Sequence, residues 1–442
     1  MAQLKTEQLK NEFAEKAEEH KGFFKRTREY WSMVGPGITT GAADDDPSGI
    51  ATYSQAGAKF GYSFLWLAFF TFPLMTLIQE MCARIALVTG RGLAANIKLH
   101  FSKKILFLVV ALLFIANTFN IGADIGAMSE AFQLIFPSVP EWSLVIAFGI
   151  ICILFEIFIS YQRYSRYLKW MTLSLVTYIF AALILDFDTK ELLSHAFIPT
   201  FIFSKEYILL LAAIIGTTIS PYLFFWQTSQ EVEEGILRGQ STVHSRQLAG
   251  PKEIKPMRFD VIAGMFISNL VMFFIIAVCA QTLHLNGITE IETATDAANA
   301  LKPIAGNLSY ILFTLGIIGT GLLAIPVLAA SSAYAIAETL KTKEGLYLKF
   351  SEARTFYYII IASITIGLLI NFTGIGAVTG LIYAAIANSL VAPIIIVFIV
   401  LLASNKAIMG AHRNAKAVTV LGWGTVLLMT LVAVLTIYFL FN

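Results

Sequence analysis

Long runs of apolar residues, separated by short polar connections, follow one another along most of the chain. An α-helix needs about 20 apolar residues to cross the hydrocarbon core of a bilayer. A window of about 19 residues predicts eleven such spans in this sequence. They lie near residues 33–57, 62–88, 105–136, 142–160, 166–185, 206–235, 258–283, 306–338, 355–371, 376–402 and 417–441. The pattern therefore predicts an all-α polytopic membrane protein embedded in a lipid bilayer.

The composition strengthens this prediction and excludes several classes of protein. The 442 residues are 57% hydrophobic and 14% charged, whereas a soluble domain is about one quarter charged. The formal net charge of +2 indicates no general attraction to nucleic acid, so we expect no nucleic-acid partner. Each of the three cysteines lies within an apolar run and is interpreted as a buried structural thiol.

The distribution of lysine and arginine predicts the orientation of the chain. With the N-terminus inside, 27 of the 31 basic residues fall on the cytoplasmic side and only Lys59, Lys190, Lys205 and Lys302 fall outside. The positive-inside rule then places the N-terminus in the cytoplasm and the C-terminus outside, in the cell membrane. We expect a polar cytosolic tail over 1–30 and one transmembrane domain over 31–442, with spans 1–5 at about 33–185, spans 6–10 at about 206–402 and span 11 at about 417–441.

Two of the spans contain residues that interrupt a helix at mid-depth. In span 1 the sequence Asp44-Asp45-Asp46-Pro47-Ser48-Gly49 lies between two apolar segments, and in span 6 the stretch 216–222 reads Gly-Thr-Thr-Ile-Ser-Pro-Tyr. Proline removes a backbone donor and disfavours helical geometry at the residue before it. Both helices are therefore expected to unwind and to free backbone carbonyls.

The spacing of the two breaks suggests an internal repeat. Spans 1 and 6 are five spans apart, and an odd number of spans reverses the orientation of the second half. This is typical of transporters built as a 5+5 inverted repeat, whose substrate lies at the midplane between two broken helices. Because Asp46 adds a carboxylate to freed carbonyls and hydroxyls, the predicted site suits a hard cation. Alternatively, Asp44 or Asp46 serves only as the N-cap of the second half-helix.

Other polar residues within the spans have more than one interpretation. Asp124 shares a helix face with Asn120 and belongs either to the ion pathway or to a structural pair. Glu80 and Arg84 are four residues apart and are expected to pair with each other. Five residues beyond the sixth break are candidates to line an inner exit: Gln227, Gln230, Glu231, Glu233 and Glu234. Asn388 lies either near the site or in a hydrogen bond to another helix. Glu130 and Glu156 have no assigned role.

Five short motifs resemble those of the Nramp metal transporters. These motifs are Gly35-Pro36-Gly37, residues 46–52 (Asp-Pro-Ser-Gly-Ile-Ala-Thr), Gln55-Ala56-Gly57-Ala58, Gly61-Tyr62 and Val88-Thr89-Gly90. The resemblance implies a LeuT-type fold with broken first and sixth helices and an additional eleventh helix. Nramp transporters usually read Asp-Pro-Gly-Asn in the first break, whereas this chain has Ser48-Gly49 in place of Gly-Asn. In span 6 the Nramp pattern has a methionine and a histidine, and this chain has Ser220 and Tyr222.

These departures resemble the Nramp-related magnesium transporters, a branch of the same family. The resemblance implies that Asp46 is the carboxylate ligand, that Thr217 supplies a carbonyl and that Ser220 replaces the methionine. Gly49 then stands where the asparagine was. Asp45 and Asp124 are further candidate ligands. Because a thioether favours softer metals than Mg²⁺, its loss predicts a wider site for partly hydrated Mg²⁺ or Mn²⁺.

We therefore predict a carrier that imports divalent cations by alternating access, without coupling to protons. A proton-coupled Mn²⁺/Fe²⁺ symporter of the Nramp type is the main alternative, ahead of a cation-coupled carrier of organic solutes and a cation channel. We expect no enzymatic activity, since the spans contain no metal cluster or nucleophile motif of recognised spacing. We likewise expect no cofactor and no obligatory protein partner.

Overall fold

The computed structural model describes residues 35–159, 176–247, 250–306 and 308–441, and these residues form helices and loops without a β-strand. The thirteen principal helices are α1 Pro36–Asp44, α2 Pro47–Phe60, α3 Trp66–Thr89, α4 Lys103–Gln133, α5 Glu141–Phe158, α6 Val176–Ile184, α7 Lys205–Thr218, α8 Pro221–Leu237, α9 Pro251–Thr282, α10 Leu308–Leu340, α11 Arg354–Ile370, α12 Ala377–Ser404 and α13 Lys416–Phe441. Short helices lie in the connections at Leu93–His100, Thr189–Phe197, Val243–Arg246, Ala294–Asn299, Lys302–Ala305 and Lys406–Met409.

The helices follow the apolar pattern of the sequence closely. Within the described residues, nine helical segments are long and apolar enough to cross a membrane. They coincide with predicted spans 2 to 4 and 6 to 11. Span 1 is divided into α1 and α2. Half of predicted span 5, residues 166–175, lies outside the described residues, as does the predicted tail over 1–30. The other half of span 5 contains α6.

Spans 1 and 6 break in the same way. Asp45 and Asp46 separate α1 from α2, and Ile219 and Ser220 separate α7 from α8. Asp46 and Ser220 both have extended backbone, with ψ of 171° and 131°, and each precedes the proline that begins the next helix. Proline excludes helical geometry from its predecessor and is well tolerated in the first turn of a helix. The two Asp-Pro and Ser-Pro pairs therefore account for both interruptions.

Glycines allow span 1 to approach the backbone of α9. A Cβ atom at Gly37 would lie 2.6 Å from the backbone N of Val261, and one at Gly57 would lie 2.8 Å from Cβ of Cys279. Small residues permit this close approach of helices in a membrane, where packing drives association. The α1 N-terminus is also bound to α9, because Asp260 accepts hydrogen bonds from the backbone N–H of Gly35 (2.9 Å) and Gly37 (2.6 Å).

The broken spans occupy the centre of the helix bundle. Of the most apolar stretch of span 6, 94% is buried, compared with 28% of the corresponding stretch of α13. The α2 helix packs on α9 and α8 packs on α3, as the repeat predicts, because these pairs occupy equivalent places in the two halves. Helix α4 packs against α10 and α12. The interruptions are thus enclosed by other helices, where freed backbone groups find polar partners instead of lipid.

Candidate functional site

The break in span 1 places the carboxylate of Asp46 deep in the bundle, with 1% of the residue exposed. Its Oδ1 accepts a hydrogen bond from the backbone N–H of Gly49 (2.8 Å). Its Oδ2 accepts one from Asn120 Nδ2 on α4 (3.1 Å) and a longer one from the Tyr222 hydroxyl on α8 (3.5 Å). Donors from three elements therefore orient one buried carboxylate and stabilise its ionised form.

Oxygen atoms of both broken helices surround the position of Gly49. A Cβ atom at Gly49 would lie 3.4 Å from the carbonyl oxygen of Asp44 and 3.4 Å from Oγ1 of Thr217. The Tyr222 hydroxyl shares its single proton between the carbonyl of Ala43 (2.8 Å) and Asp46 Oδ2 (3.5 Å). Because the last carbonyls of a helix lack intrahelical partners and carry partial negative charge, the end of α1 favours a cation.

Ser220 and Thr217 contact each other at the second break. The Ser220 hydroxyl lies 2.6 Å from the carbonyl oxygen of Thr217 and 2.9 Å from that of Gly216, and it donates its single proton to them. Ser220 is buried at the N-cap position of α8 but does not cap it through its side chain. The hydroxyl therefore donates to the Thr217 carbonyl, the oxygen that the family resemblance assigns to the cation.

Asp124 lies on α4 one turn beyond Asn120, the residue that contacts Asp46. It is fully buried, and neither of its carboxylate oxygens has a hydrogen-bond partner in the described part of the chain. Residues four apart on a helix lie on the same face. Helix α4 thus brings a second carboxylate close to the Asp46 site, one without a hydrogen-bond partner in the described part of the chain.

Asp45 is oriented differently from Asp46. The hydroxyl of Ser268 on α9 lies 2.5 Å from Asp44 Oδ2 and 3.3 Å from Asp45 Oδ1. Asp44 is the last residue of α1, so the suggestion that it caps the second half-helix is wrong. The side chain that caps α2 is Asp46 itself, through the bond from Gly49 N–H.

Several further polar residues find partners that the sequence only partly indicated. The predicted pair of Glu80 and Arg84 is confirmed at 2.9 Å. Gln227 accepts a hydrogen bond from the Thr40 hydroxyl of α1 (2.6 Å), and Glu130 accepts one from the backbone N–H of Ala294 (2.8 Å). The side-chain oxygen of Asn388 is buried without a partner among the described residues.

Sequence reasoning missed how Asn120, Tyr222 and Ser268 contact the carboxylates of the first break. In the sequence, Asn120 is marked only by the helix face that it shares with Asp124, and Tyr222 only by the histidine that it replaces in the Nramp pattern. Ser268 lies in an apolar run and carries no signal of a role. Within the described ranges, no group of three or more His, Cys, Asp or Glu residues is arranged to hold a metal. The site instead combines one oriented carboxylate with carbonyl and hydroxyl oxygens, which suits a hard cation that keeps part of its water.

This geometry defines an integral membrane protein of the broken-helix carrier class, and the comparisons extend it to a family. The chain matches the Nramp family, described as natural resistance-associated macrophage protein-like, over residues 37–439. It therefore belongs to the Nramp family, as its motifs predicted.

Curated relatives match along most of their length. The divalent metal cation transporter MntH of Chromohalobacter salexigens is 26% identical over 424 residues, which cover 93% of this chain and 92% of the relative. The MntH of Bacillus subtilis is 25% identical over 411 residues, covering 92% and 91%. Both are named as transporters and not as enzymes, in agreement with the prediction.

Solved structures agree on the fold. A manganese transporter from Eremococcus coleocola matches with a TM-score of 0.73 at 17% identity, covering 92% of this chain and 87% of that chain. The inward-facing conformation of Mhp1 matches with a TM-score of 0.54 at 14% identity, covering 92% and 90%. The predicted LeuT-type fold is thereby confirmed.

Proposed function

We propose that this chain imports divalent cations by alternating access, with Asp46 as the principal ligand. The observation that carries the proposal is the buried carboxylate of Asp46, held by three donors at the break between α1 and α2. The names of the MntH relatives support a divalent metal as the substrate. Asp46 supplies the negative charge, and the carbonyl of Asp44 and the hydroxyl of Thr217 border the space beside it.

The preferred cations in this proposal are Mg²⁺ and Mn²⁺, as in the magnesium-transporting branch that the motifs resemble. Gly49 and Ser220 lie where Nramp transporters carry an asparagine and a methionine, so this site has one amide and one soft ligand fewer. Mg²⁺ takes oxygen ligands and gives up its water reluctantly. The Ser220 hydroxyl turns from the Thr217 carbonyl toward the cation or its water, and Asp45 and Asp124 supply negative charge nearby.

We propose that import is driven by the membrane potential without proton coupling. None of the predicted spans contains a histidine, the side chain that titrates near neutral pH. Moving two charges inward at 100 mV yields about 4.6 kcal/mol, enough for a gradient on the order of a thousandfold. A symported proton is therefore energetically unnecessary.

The competing function is proton-coupled transport of Mn²⁺ or Fe²⁺. Asp124 favours it, because both of its buried oxygens lack a partner and it lies one turn from Asn120. A pH-sensitive dye inside liposomes distinguishes the two mechanisms while valinomycin and K⁺ impose the voltage. Cation-dependent acidification of the lumen would contradict uniport and identify Asp124 as the first residue to replace.

Orientation and domain organisation complete the proposal. The N-terminus is cytoplasmic, the C-terminus is extracellular, and residues 31–442 form one membrane domain behind the tail over 1–30. The bacterial MntH relatives support a location in the plasma membrane. Cysteine labelling of single-cysteine variants at the two termini, from either side of the membrane, tests this orientation.

The central experiment measures uptake of Mg²⁺ and Mn²⁺ by the purified full chain in liposomes. Asp46→Asn removes the negative charge of the principal ligand. We expect it to reduce uptake of both ions at least about a hundredfold, which at about 1.4 kcal/mol per tenfold change is about 2.8 kcal/mol of lost cation binding. Glu292→Gln is the matched control, since Glu292 is exposed in an external loop. Uptake at the parent rate by folded Asp46→Asn would refute the site assignment.

A further inference from the structure

Asp44 and Asp45 form an acidic pair at the end of α1, apart from the donors that orient Asp46. Asp44 is 0% exposed and Asp45 is 3% exposed. One donor, the Ser268 hydroxyl, contacts both carboxylates, and it carries a single proton. The Oδ1 atom of Asp44 is buried without a hydrogen-bond partner in the described part of the chain.

Among the residues that the structure describes, no cationic side chain forms an ion pair with Asp44 or Asp45. The ion pairs formed by the described residues involve neither Asp44 nor Asp45. The charged side chains that act on Asp44 are those of Asp45 and Asp46, which are also acidic. The pair lies at the C-terminus of α1, where the helix carries partial negative charge. An unpaired charge in such a position is strongly unfavourable, so the pair requires a counter-ion or protons.

The Ser268 hydroxyl bridges the two carboxylates at distances on either side of the ligand spacing around a small divalent cation. Adjacent ligands in an octahedral Mg²⁺ site lie about 3 Å apart, since the metal–oxygen distance is about 2.1 Å. Ser268 Oγ lies 2.5 Å from Asp44 Oδ2 and 3.3 Å from Asp45 Oδ1. If the hydroxyl proton turns away, Ser268 Oγ offers a lone pair between the two carboxylates, whose combined charge matches a charge of +2.

We infer that Asp44, Asp45 and Ser268 form a second binding position for a divalent cation, next to the Asp46 site. This inference rests on the proposed function, because it assigns a second position for the transported class of ion. Asp46 is held by amide and hydroxyl donors from α2, α4 and α8. The second position instead uses α9, the helix along which span 1 packs.

The test is the number of Mn²⁺ ions bound by the purified full-length protein at saturation, measured by equilibrium dialysis. We expect two ions for the parent and one for each of Asp44→Asn and Asp46→Asn. Ser268→Ala keeps both carboxylates but loses one oxygen ligand. We therefore expect it to bind two ions, with the affinity of the second position reduced about tenfold. Ser363→Ala is the matched control, because this buried serine donates only to the Ile359 carbonyl of its own helix.

The outcomes separate the two proposals. A parent that binds one ion, lost in Asp46→Asn and retained in Asp44→Asn, would overturn the second position and leave the proposed function standing. This result is also expected of a pair neutralised by protons. A parent that binds no divalent ion would overturn the proposed function itself. If Asp44→Asn does not fold, the Ser268→Ala titration decides, and an affinity equal to that of Ser363→Ala contradicts the inference.

Discussion

At the scale of single residues, Asp46 performs two tasks with one side chain. It caps α2 through the Gly49 N–H, and its second oxygen faces donors from α4 and α8. The cap at Gly49 is therefore compatible with the proposed ligation of a cation by Asp46. The cap fixes the rotation of the carboxylate, so the proposed cation would encounter an oriented ligand, and less side-chain entropy would be lost on binding.

Ser220→Met tests the selectivity of the site. The substitution adds a thioether and removes the hydroxyl that bonds the Thr217 carbonyl. We expect Cd²⁺ and Mn²⁺ to gain about tenfold in affinity relative to Mg²⁺, because a soft ligand favours softer metals. Competition against Mg²⁺ uptake measures this ratio, and Ser220→Ala is the control that removes the hydroxyl alone. Equal ratios in the two variants would exclude residue 220 from the site.

Gly49→Asn tests the first break in the same manner. It introduces an amide ligand, but its Cβ would lie 3.3 Å from the Tyr53 ring and 3.4 Å from Thr217 Oγ1, so Tyr53 must shift slightly. We expect a relative gain for Mn²⁺ over Mg²⁺ together with slower transport. Gly49→Ala, which adds the crowding without the ligand, should slow transport and leave the ion preference unchanged. A changed preference in Gly49→Ala would assign the effect to shape alone.

At the scale of helices, the contact between α1 and α9 positions the first break. Asp260 binds the α1 N-terminus and Ser268 contacts its C-terminal aspartates, so both ends of this half-helix are attached to α9. Gly41 lies between them, where a Cβ atom would come 2.5 Å from the carbonyl carbon of Gly264. Backbone atoms cannot yield as the end of a flexible side chain can, so a methyl group must separate the two helices.

Gly41→Ala is therefore expected to destabilise the protein by about 1–3 kcal/mol, the usual cost of overpacking, and to reduce uptake. Gly424→Ala on α13 is the matched control, because a Cβ atom there meets nothing within 4 Å. Alanine is the better helix former, so the control is expected to be neutral or slightly stabilising. Thermal unfolding in detergent measures both variants, and equal midpoints would contradict the close α1–α9 contact.

At the scale of the whole molecule, buried acids also connect the end of α10 to neighbouring segments. A cavity of about 380 Å³ is lined in part by Glu233, Glu338 and Glu344. The carboxylate of Glu233 accepts hydrogen bonds from the Tyr334 hydroxyl and from the backbone N–H of Leu346. Burial, with the charges of Glu338 and Glu233, raises the pKa of the loop residue Glu344 to about 9. The packing of this loop therefore depends on pH.

Glu344→Gln tests this dependence. Because the folded-state pKa is raised, protonation of Glu344 stabilises the fold fully below its unfolded value of 4.5, and this stability is lost as pH rises toward about 9. We expect parent and variant to unfold at the same temperature at pH 5, with the variant a few degrees higher at pH 9. Glu352→Gln, on the exposed side of the same loop, is the control. Parallel pH profiles for parent and Glu344→Gln would contradict the shift.

The sequence by itself determined the features that depend on local chemistry. Apolar length defined the spans, and the Asp46-Pro47 and Ser220-Pro221 pairs defined where two of them break, because proline acts on its immediate neighbours. Acidic and hydroxyl residues at the breaks indicated a hard cation.

The tertiary structure alone decided which donors reach those carboxylates. Asn120, Tyr222 and Ser268 lie 74, 176 and 224 residues from their aspartate partners, and a serine or asparagine in an apolar run carries no local mark of its partner. Helix packing therefore separated Asp46 from the Asp44–Asp45 pair, although the three residues are consecutive in the chain.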